Sequence, residues 1–390
     1  MPGSVCLLSR GTLRRPQLHS QGSEHLFFRH FTEQGRLGDL CILLVTHLLP
    51  DRPQFIQVLD GVGRVGAILP KPKSVHGPTL AWAQQHYPVL PLNRHWTSDP
   101  EGVIAQIAPL VREHERLIIL DIGGYFAKTQ AVLSEHFGER FLGVVEMTEN
   151  GHQRYEQELL AAPVISVARS PLKQAEDIQI GLSVVYSAES LARTLRRTFN
   201  VCQAALFGYG KVGRSIAREL RCRNLHLELV ETDALRQVEA LSHGFKLVNK
   251  AEALGRAELV ICCTGNGSLD IADLQALRPG AMLASVTSAD DEFAFCLSQL
   301  PWPSEEVCPH VLALTRPDGS TIFLLNRGEA VNFVHGAVIG EYVYLVLAEI
   351  IEGVHQLAGQ APAAGLLELP QATMQRIARH WLADFHGVVQ

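Results

Sequence analysis

The sequence predicts an α/β protein built from two doubly wound, parallel-sheet, Rossmann-like domains, and three observations carry that prediction. Short apolar runs alternate with helix-like stretches from about Arg36 onward, the pattern of strands covered on both faces by crossover helices. Ala204-Ala-Leu-Phe-Gly-Tyr-Gly-Lys-Val-Gly213 leads one such run through a glycine-rich turn into a helix. At 390 residues the chain is long enough for two domains with cores of their own.

The elements follow in order. The first 23 residues hold no acid and carry Arg10, Arg14 and Arg15 among Ser, Gly and Pro. That composition can mimic an organelle transit peptide, but it reads better as a disordered extension, and residues 1–35 are assigned so. Strands of a first domain, residues 36–187, are expected at Cys41–Val45, Val65–Leu69, Leu117–Leu120, Phe141–Val145 and Val164–Val167. A weaker one, third in order, is placed at Val89-Leu90 between Pro88 and Pro91. Ser98-Asp-Pro-Glu101 opens a helix predicted to run to Glu115, with proline in its first turn. A polar, arginine-rich helix, Ala188 to Thr198, introduces the second domain, residues 188–335. Its strands are expected at Ala204–Phe207, Leu225–Val230, Leu259–Cys263, Met282–Val286 and Ile322–Leu325. Residues 336–390, beginning with Gly336–Val354, read as mainly helical and complete the first domain.

The glycine turn gives the second domain a chemistry. In Gly208-Tyr209-Gly210-Lys211-Val212-Gly213, the first glycine allows the tight turn, the second lets backbone approach a pyrophosphate, and the third permits close helix–strand packing. The helix N-terminus presents unpaired N–H groups and partial positive charge to a diphosphate. Glu231 ends the next strand about 20 residues on, where a carboxylate accepts from ribose hydroxyls and repels a 2′-phosphate. The expected cofactor is NAD rather than NADP.

Composition narrows the partners. A net charge of −6 with an ordinary charged fraction gives no reason to expect nucleic acid or an anionic membrane. The apolar run Tyr342–Ala348 sits between Glu341 and Glu349, far short of a bilayer span. Eight cysteines include no CxxC pair, and Cys262-Cys263 lie inside an apolar strand, as buried thiols in a reducing, cytoplasmic setting would. The 17 histidines show no HExxH spacing, so no metal is expected. The expected partner is a small molecule of nucleoside type, and the sequence leaves a homo-oligomer open.

Ligands of open α/β sheets bind beyond the carboxyl ends of the strands. In the first domain that rule selects His47, Gly123-Gly124, Glu146, Thr148, and Lys173 with Asp177. Each has a plainer explanation: a loop histidine, turn glycines, or an i,i+4 surface ion pair.

Several segments resemble the adenosylhomocysteinase family, the NAD-dependent S-adenosylhomocysteine hydrolases. They are Gly208-Tyr-Gly-Lys-Val-Gly213 with Glu231-Thr-Asp233, the strand ending in Thr264-Gly265, Leu120-Asp-Ile-Gly-Gly124, Glu146-Met-Thr-Glu-Asn-Gly-His152, Pro163-Val-Ile-Ser-Val167 followed by Lys173 and Asp177, and Val331-Asn332-Phe. The similarity runs in unbroken order from Arg36 to Gly353. It implies that Thr264, Gly265, Thr148 and Asn332 join the cofactor-binding set. It further implies that Lys173 assists oxidation of a ribose 3′-hydroxyl, that Asp177 holds the ribose, and that His47 is the histidine after the first strand. Partial burial beside a positive nicotinamide is expected to lower the Lys173 pKa enough to make it a base.

The departures fall on the chemistry. Where the family has a second aspartate, a second glutamate and an asparagine, this chain has Ile122, Met147 and Ile178. The histidine expected after the fifth cofactor-domain strand is Ser288, the family's Gly-His appears as His335-Gly336, and the chain ends Asp384-Phe-His-Gly-Val-Val-Gln390 in place of a lysine- and tyrosine-bearing tail. His152, His335 and Glu146 are the available substitutes for the lost carboxylates. Three functions fit: a divergent hydrolase acting through a transient 3′-keto intermediate on S-adenosylhomocysteine or a related nucleoside thioether, an NAD-dependent dehydrogenase of another alcohol, and a non-catalytic NAD-binding regulatory protein.

Overall fold

Period-two alternation explains the strands. On the first, Leu40, Ile42 and Leu44 enter one apolar cluster while Cys41, Leu43 and Val45 enter another, because successive side chains of a strand point to opposite faces. The structure is a computed structural model, and it describes residues 20–33, 35–287, 289–294, 300–337, 340–360 and 362–388. Its strands are β1 (Leu40–Leu48), β2 (Arg64–Val75), β3 (Arg116–Asp121), β4 (Phe141–Glu146), β5 (Pro163–Ser166), β6 (Gln203–Phe207), β7 (His226–Val230), β8 (Lys246–Leu247), β9 (Leu259–Cys262), β10 (Met282–Ser285), β11 (Ser304–Cys308), β12 (Val311–Thr315), β13 (Thr321–Leu325) and β14 (Gly365–Leu367).

They form two sheets, with orders β14-β5-β4-β3-β1-β2 and β11-β12-β13-β10-β9-β6-β7-β8. The first is parallel throughout, and the second is parallel from β13 to β8. The predicted α/β class with two parallel, Rossmann-like sheets is borne out. In the first sheet the chain reverses direction across the sheet between β1 and β3, and in the second between β6 and β9.

Several elements differ from expectation. Val89 makes one isolated bridge to Ile68 and no strand, since the prolines beside it cannot donate to a ladder. The helix opened by Pro100 is capped by Asp99, whose carboxylate accepts from Gly102 N at 2.8 Å, but it ends at Ile107. A 3₁₀ turn, Ala108–Leu110, follows in place of a helix reaching Glu115. The arginine-rich segment read as starting at Ala188 is the last part of a single helix, Pro171–Thr194, capped by Ser170. Lys173, Asp177 and the approach to the glycine turn therefore ride on one rigid element.

Ser20–Thr32, inside the stretch read as an extension, is a helix. Phe27, Phe28 and Phe31 from it are buried, and Phe27 and Phe28 lie 5.6 and 5.7 Å from the rings of Phe385 and Tyr344. Residues 1–19 lie outside the described residues. The C-terminal segment holds the helices Tyr342–Gln360 and Gln371–His386, and between them the three-residue β14, which extends the first sheet beyond β5. The antiparallel pair β11–β12 was also unanticipated.

Candidate active site

Both reversal points open onto one cleft of about 1420 Å³. His47, Gly123, Thr148, Lys173 and Asp177 line it from the first sheet's side, and Gly208, Gly210, Lys211, Val212, Glu231, Thr264 and Asn332 from the second. The convergence has a simple cause: in each sheet the crossovers diverge where the strand order reverses, and the carboxyl ends there are left uncovered.

The glycine turn has the geometry its sequence promised. Gly208 has φ 96°, a conformation that strains any side chain. A Cβ at Gly213 would stand 2.4 Å from the Gly208 carbonyl oxygen, so only glycine lets the helix Lys211–Cys222 pack this closely. Nothing comes nearer than 3.8 Å to a Cβ built on Gly210, which leaves its cleft side open to a ligand. Glu231 accepts from the backbone N–H groups of Tyr209 (2.6 Å), Thr232 (2.7 Å) and Asp233 (2.9 Å). Those bonds fix its carboxylate at the end of β7, where ribose hydroxyls would reach it.

Not every expected cofactor contact faces the cleft. The Tyr209 side chain turns away, bonding His243 Nδ1 at 2.8 Å and packing on Phe245. Thr264 lines the cleft, yet its N–H and hydroxyl both donate to Glu292, as does Gly265 N at 2.9 Å. Glu292 also accepts from Ser268 and Thr287, so this buried acid pins the whole turn after β9. Sequence reasoning missed it, because the acid lies far along the chain from the turn it holds. Asn332 is buried, and its Oδ1 has no hydrogen-bond partner among the described residues. An orphaned buried acceptor at a cleft wall is a place for a ligand donor. Cradle, carboxylate and orphaned amide together fit NAD.

On the opposite wall, Lys173 Nζ donates to Asp177 Oδ1 at 2.5 Å and also to Glu176. All three side chains are largely buried, so this is no solvated surface pair. Burial by itself would lower the Lys173 pKa, but Glu176 and Asp177 outweigh it and raise it above the ordinary lysine range. The expected lowering is therefore reversed: Glu176, which the sequence reading passed over, helps hold an ammonium here. His47 lies within β1, two residues beyond the run assigned to it. Its Nδ1 is 2.5 Å from Ser74 Oγ, and burial, with Lys71 and Arg52 nearby, keeps its pKa well below the usual histidine value.

The substitutes for lost carboxylates do not reach the cleft. Glu146 accepts from Gly123 N (3.1 Å), Gly124 N (2.9 Å) and both donors of Thr148. Burial, reinforced by Asp121, pushes it up to about 8. His152 is buried against Ser166 and Glu156, and His335 bonds Ser187 Oγ at 3.0 Å. None of the three lines the cleft. Ile122 is buried in the first apolar core, Met147 packs against it, and Ile178 is half exposed. Ser288 lies outside the described residues.

Polar contacts cross between the two sides. Lys211 Nζ donates to the Ala168 carbonyl (2.5 Å) and pairs with Glu149 (2.9 Å). Arg154 reaches Asp291 at 3.1 Å. Among the described residues no three His, Cys, Asp or Glu side chains gather as metal ligands, and no described helix is long and apolar enough to cross a membrane.

Fold and cleft define a protein with a Rossmann-type dinucleotide domain facing a second α/β unit across a shared site. Residues 184–338 match the family described as S-adenosyl-L-homocysteine hydrolase, NAD binding domain. The adenosylhomocysteinase of Thermotoga maritima is 30% identical over 228 residues, covering 56% of this chain and 55% of that protein. The S-inosyl-L-homocysteine hydrolase of Methanopyrus kandleri is 26% identical over 300 residues, covering 73% of this chain and 69% of its own. The match thus spans little more than half of the Thermotoga protein. Among solved structures, a putative D-3-phosphoglycerate dehydrogenase oxidoreductase from Ralstonia solanacearum overlaps with a TM-score of 0.44 at 11% identity, over 86% of this chain and 98% of that one. That overlap carries no functional weight. The chain is similar to the adenosylhomocysteinases, over residues 184–338 to their NAD-binding domain, and its cofactor is NAD.

Proposed function

We propose that this protein is an adenosylhomocysteinase-like, NAD-dependent enzyme acting on S-adenosylhomocysteine or a related nucleoside thioether through a transient 3′-keto intermediate. The observation that carries the reading is the buried Lys173–Asp177 pair opening onto the same cleft as the Gly208–Gly213 turn. Residues 188–335 serve as the cofactor domain, and residues 36–187, completed by 336–390, as the substrate domain. NAD, when bound, supplies hydride acceptance at a substrate hydroxyl carbon. Gly208, Gly210 and the N-terminus of Lys211–Cys222 hold the diphosphate, Glu231 the adenosine ribose, and Thr264, Thr148 and Asn332 the remaining polar edges. Asp177 positions the substrate ribose. Lys173 passes its own proton to the Glu176 carboxylate and then takes the hydroxyl proton, and neutral His47 closes the first sheet's side. The name of the Methanopyrus relative extends the candidate substrates to inosyl thioethers. We place the protein in the cytoplasm, within one-carbon metabolism.

The test is the absorbance of reduced nicotinamide. The NAD-loaded protein is mixed with S-adenosylhomocysteine and S-inosylhomocysteine, and a band that rises without net NADH release supports the proposal. Stoichiometric NADH release favours a plain dehydrogenase, a reading that the apolar Ile122 and Met147 also support. No band with any nucleoside would leave an NAD-binding protein without this chemistry.

A further inference from the structure

The Gly123–Gly124 turn is ringed by cations. A Cβ built on Gly123 would stand 3.6 Å from Lys71 Nζ, 3.8 Å from Arg94 Nη2 and 3.9 Å from Arg154 Nη1. Three positively charged groups from three separate elements thus converge beside Gly123, and the glycine, with φ 101°, puts no side chain between them. Lys71 and Gly123 line the cleft, while Arg94 and Arg154 stand just behind its lining, held on the Gly123 carbonyl oxygen.

The charges around this point do not cancel. Arg94 and Arg154 each donate to the Gly123 carbonyl oxygen, and the Arg94 guanidinium lies 4.3 Å over the Tyr125 ring. Asp291 is committed to Arg154. Glu146 faces the N–H groups behind the turn, and burial pushes it up to about 8. Asp121 is bonded to Ile122 N, Phe126 N and the Tyr155 hydroxyl. Among the described residues the Lys71 ammonium has no hydrogen-bond or ion-pair partner, and burial lowers its pKa by more than the attraction of Asp291, Glu146 and Asp121 restores. A desolvated cation without a hydrogen-bonded partner is costly, and a guanidinium with only some of its five donors engaged retains recognition capacity. An anionic oxygen group in the cleft beside Gly123 would meet both needs.

We propose that Lys71, Arg94 and Arg154 form an anion subsite beside Gly123, so that the substrate of this cleft carries a carboxylate or a phosphate. The inference rests on the reading that the cleft takes a substrate, but its test does not require turnover. The NAD-saturated protein, whose glycine turn is then filled, is titrated by calorimetry with inorganic phosphate and separately with acetate. At least one anion binds, and Lys71→Met and Arg94→Gln each weaken it tenfold or more while NAD affinity is unchanged. Tighter phosphate binding assigns a phosphate-bearing substrate, and tighter acetate binding a carboxylate. Absence of binding by both anions, or equal binding by both variants with melting temperatures preserved, overturns the subsite. If NAD itself fails to bind but Lys71→Met still abolishes phosphate binding, the subsite stands and the NAD-dependent chemistry falls. If the NADH band appears but neither anion binds, the reverse holds.

Discussion

Lys173 Nζ donates to Asp177 Oδ1 across 2.5 Å, one turn further along the same helix, while Glu176 takes a second bond from the same ammonium. Two acids around one lysine keep the cluster's charge from cancelling. Together they hold the lysine as an ammonium.

Lys173→Met is therefore expected to abolish any substrate-dependent NADH band while leaving NAD bound. It also strands Glu176 beside Asp177 in a buried site, a loss of about 3–5 kcal/mol. Adding Glu176→Gln should recover most of the melting temperature but none of the band. A band that survives in the double variant would remove Lys173 from the chemistry.

Glu231→Ala should weaken NAD binding by about tenfold to a hundredfold, the scale of hydrogen bonds to a charged group. Discrimination against NADP should relax at the same time. Calorimetry with both cofactors measures this, and equal affinity of the unmodified protein for the two would contradict the role given to Glu231.

Gly213→Ala puts a methyl 2.4 Å from the Gly208 carbonyl oxygen. The helix must move outward and carry its N–H groups away from the diphosphate. NAD affinity should fall more than for Gly210→Ala, whose added carbon meets nothing nearer than 3.8 Å in the protein. Fluorescence titration of NAD with the two variants makes the comparison.

Glu349 lies fully buried on the helix Tyr342–Gln360, with one oxygen bonded to Ser170 at 2.8 Å and the other without a partner among the described residues. Burial pushes it from 4.5 up to about 8. Between those values the folded protein keeps a proton that the unfolded chain has released. This contribution is complete below about pH 4.5 and is lost as pH rises toward 8. Thermal melting should show a decline over that window, and Glu349→Gln should flatten it. An unchanged slope in the variant would assign the decline to other groups, Glu146 foremost.

Hydrolysis of S-adenosylhomocysteine itself should be slower than by the Thermotoga enzyme, by about 10²–10⁴-fold for each acid–base group that is lost. Ile122 and Met147 cannot carry protons, and Glu146, His152 and His335 stand outside the cleft. Side-by-side assay of homocysteine release decides it, and comparable rates would mean that another group has taken over.

Two kinds of information separate cleanly here. The alternation of apolar runs determined two parallel sheets, since a strand covered on both faces has few polar positions, and β3 was read to within a residue of each end while β1 runs three residues past the run assigned to it. The glycine turn and Glu231 were equally legible, because a tight turn, a close helix and a carboxylate within one βαβ unit are local requirements written within about 25 residues. The short elements were not: β14 has three residues, and nothing in Gly365–Leu367 itself names β5 as its neighbour. The roles of Glu292, Glu176, Lys71, Arg94 and Arg154 depended on the tertiary structure. Glu292 closes a turn 28 residues upstream, and the three cations meet at Gly123 only because β2, two helices and the loop after β3 end at the same reversal of the sheet. Burial and Coulomb forces act through space rather than along the chain. The same folding raised the Lys173 pKa that its sequence context suggested would fall.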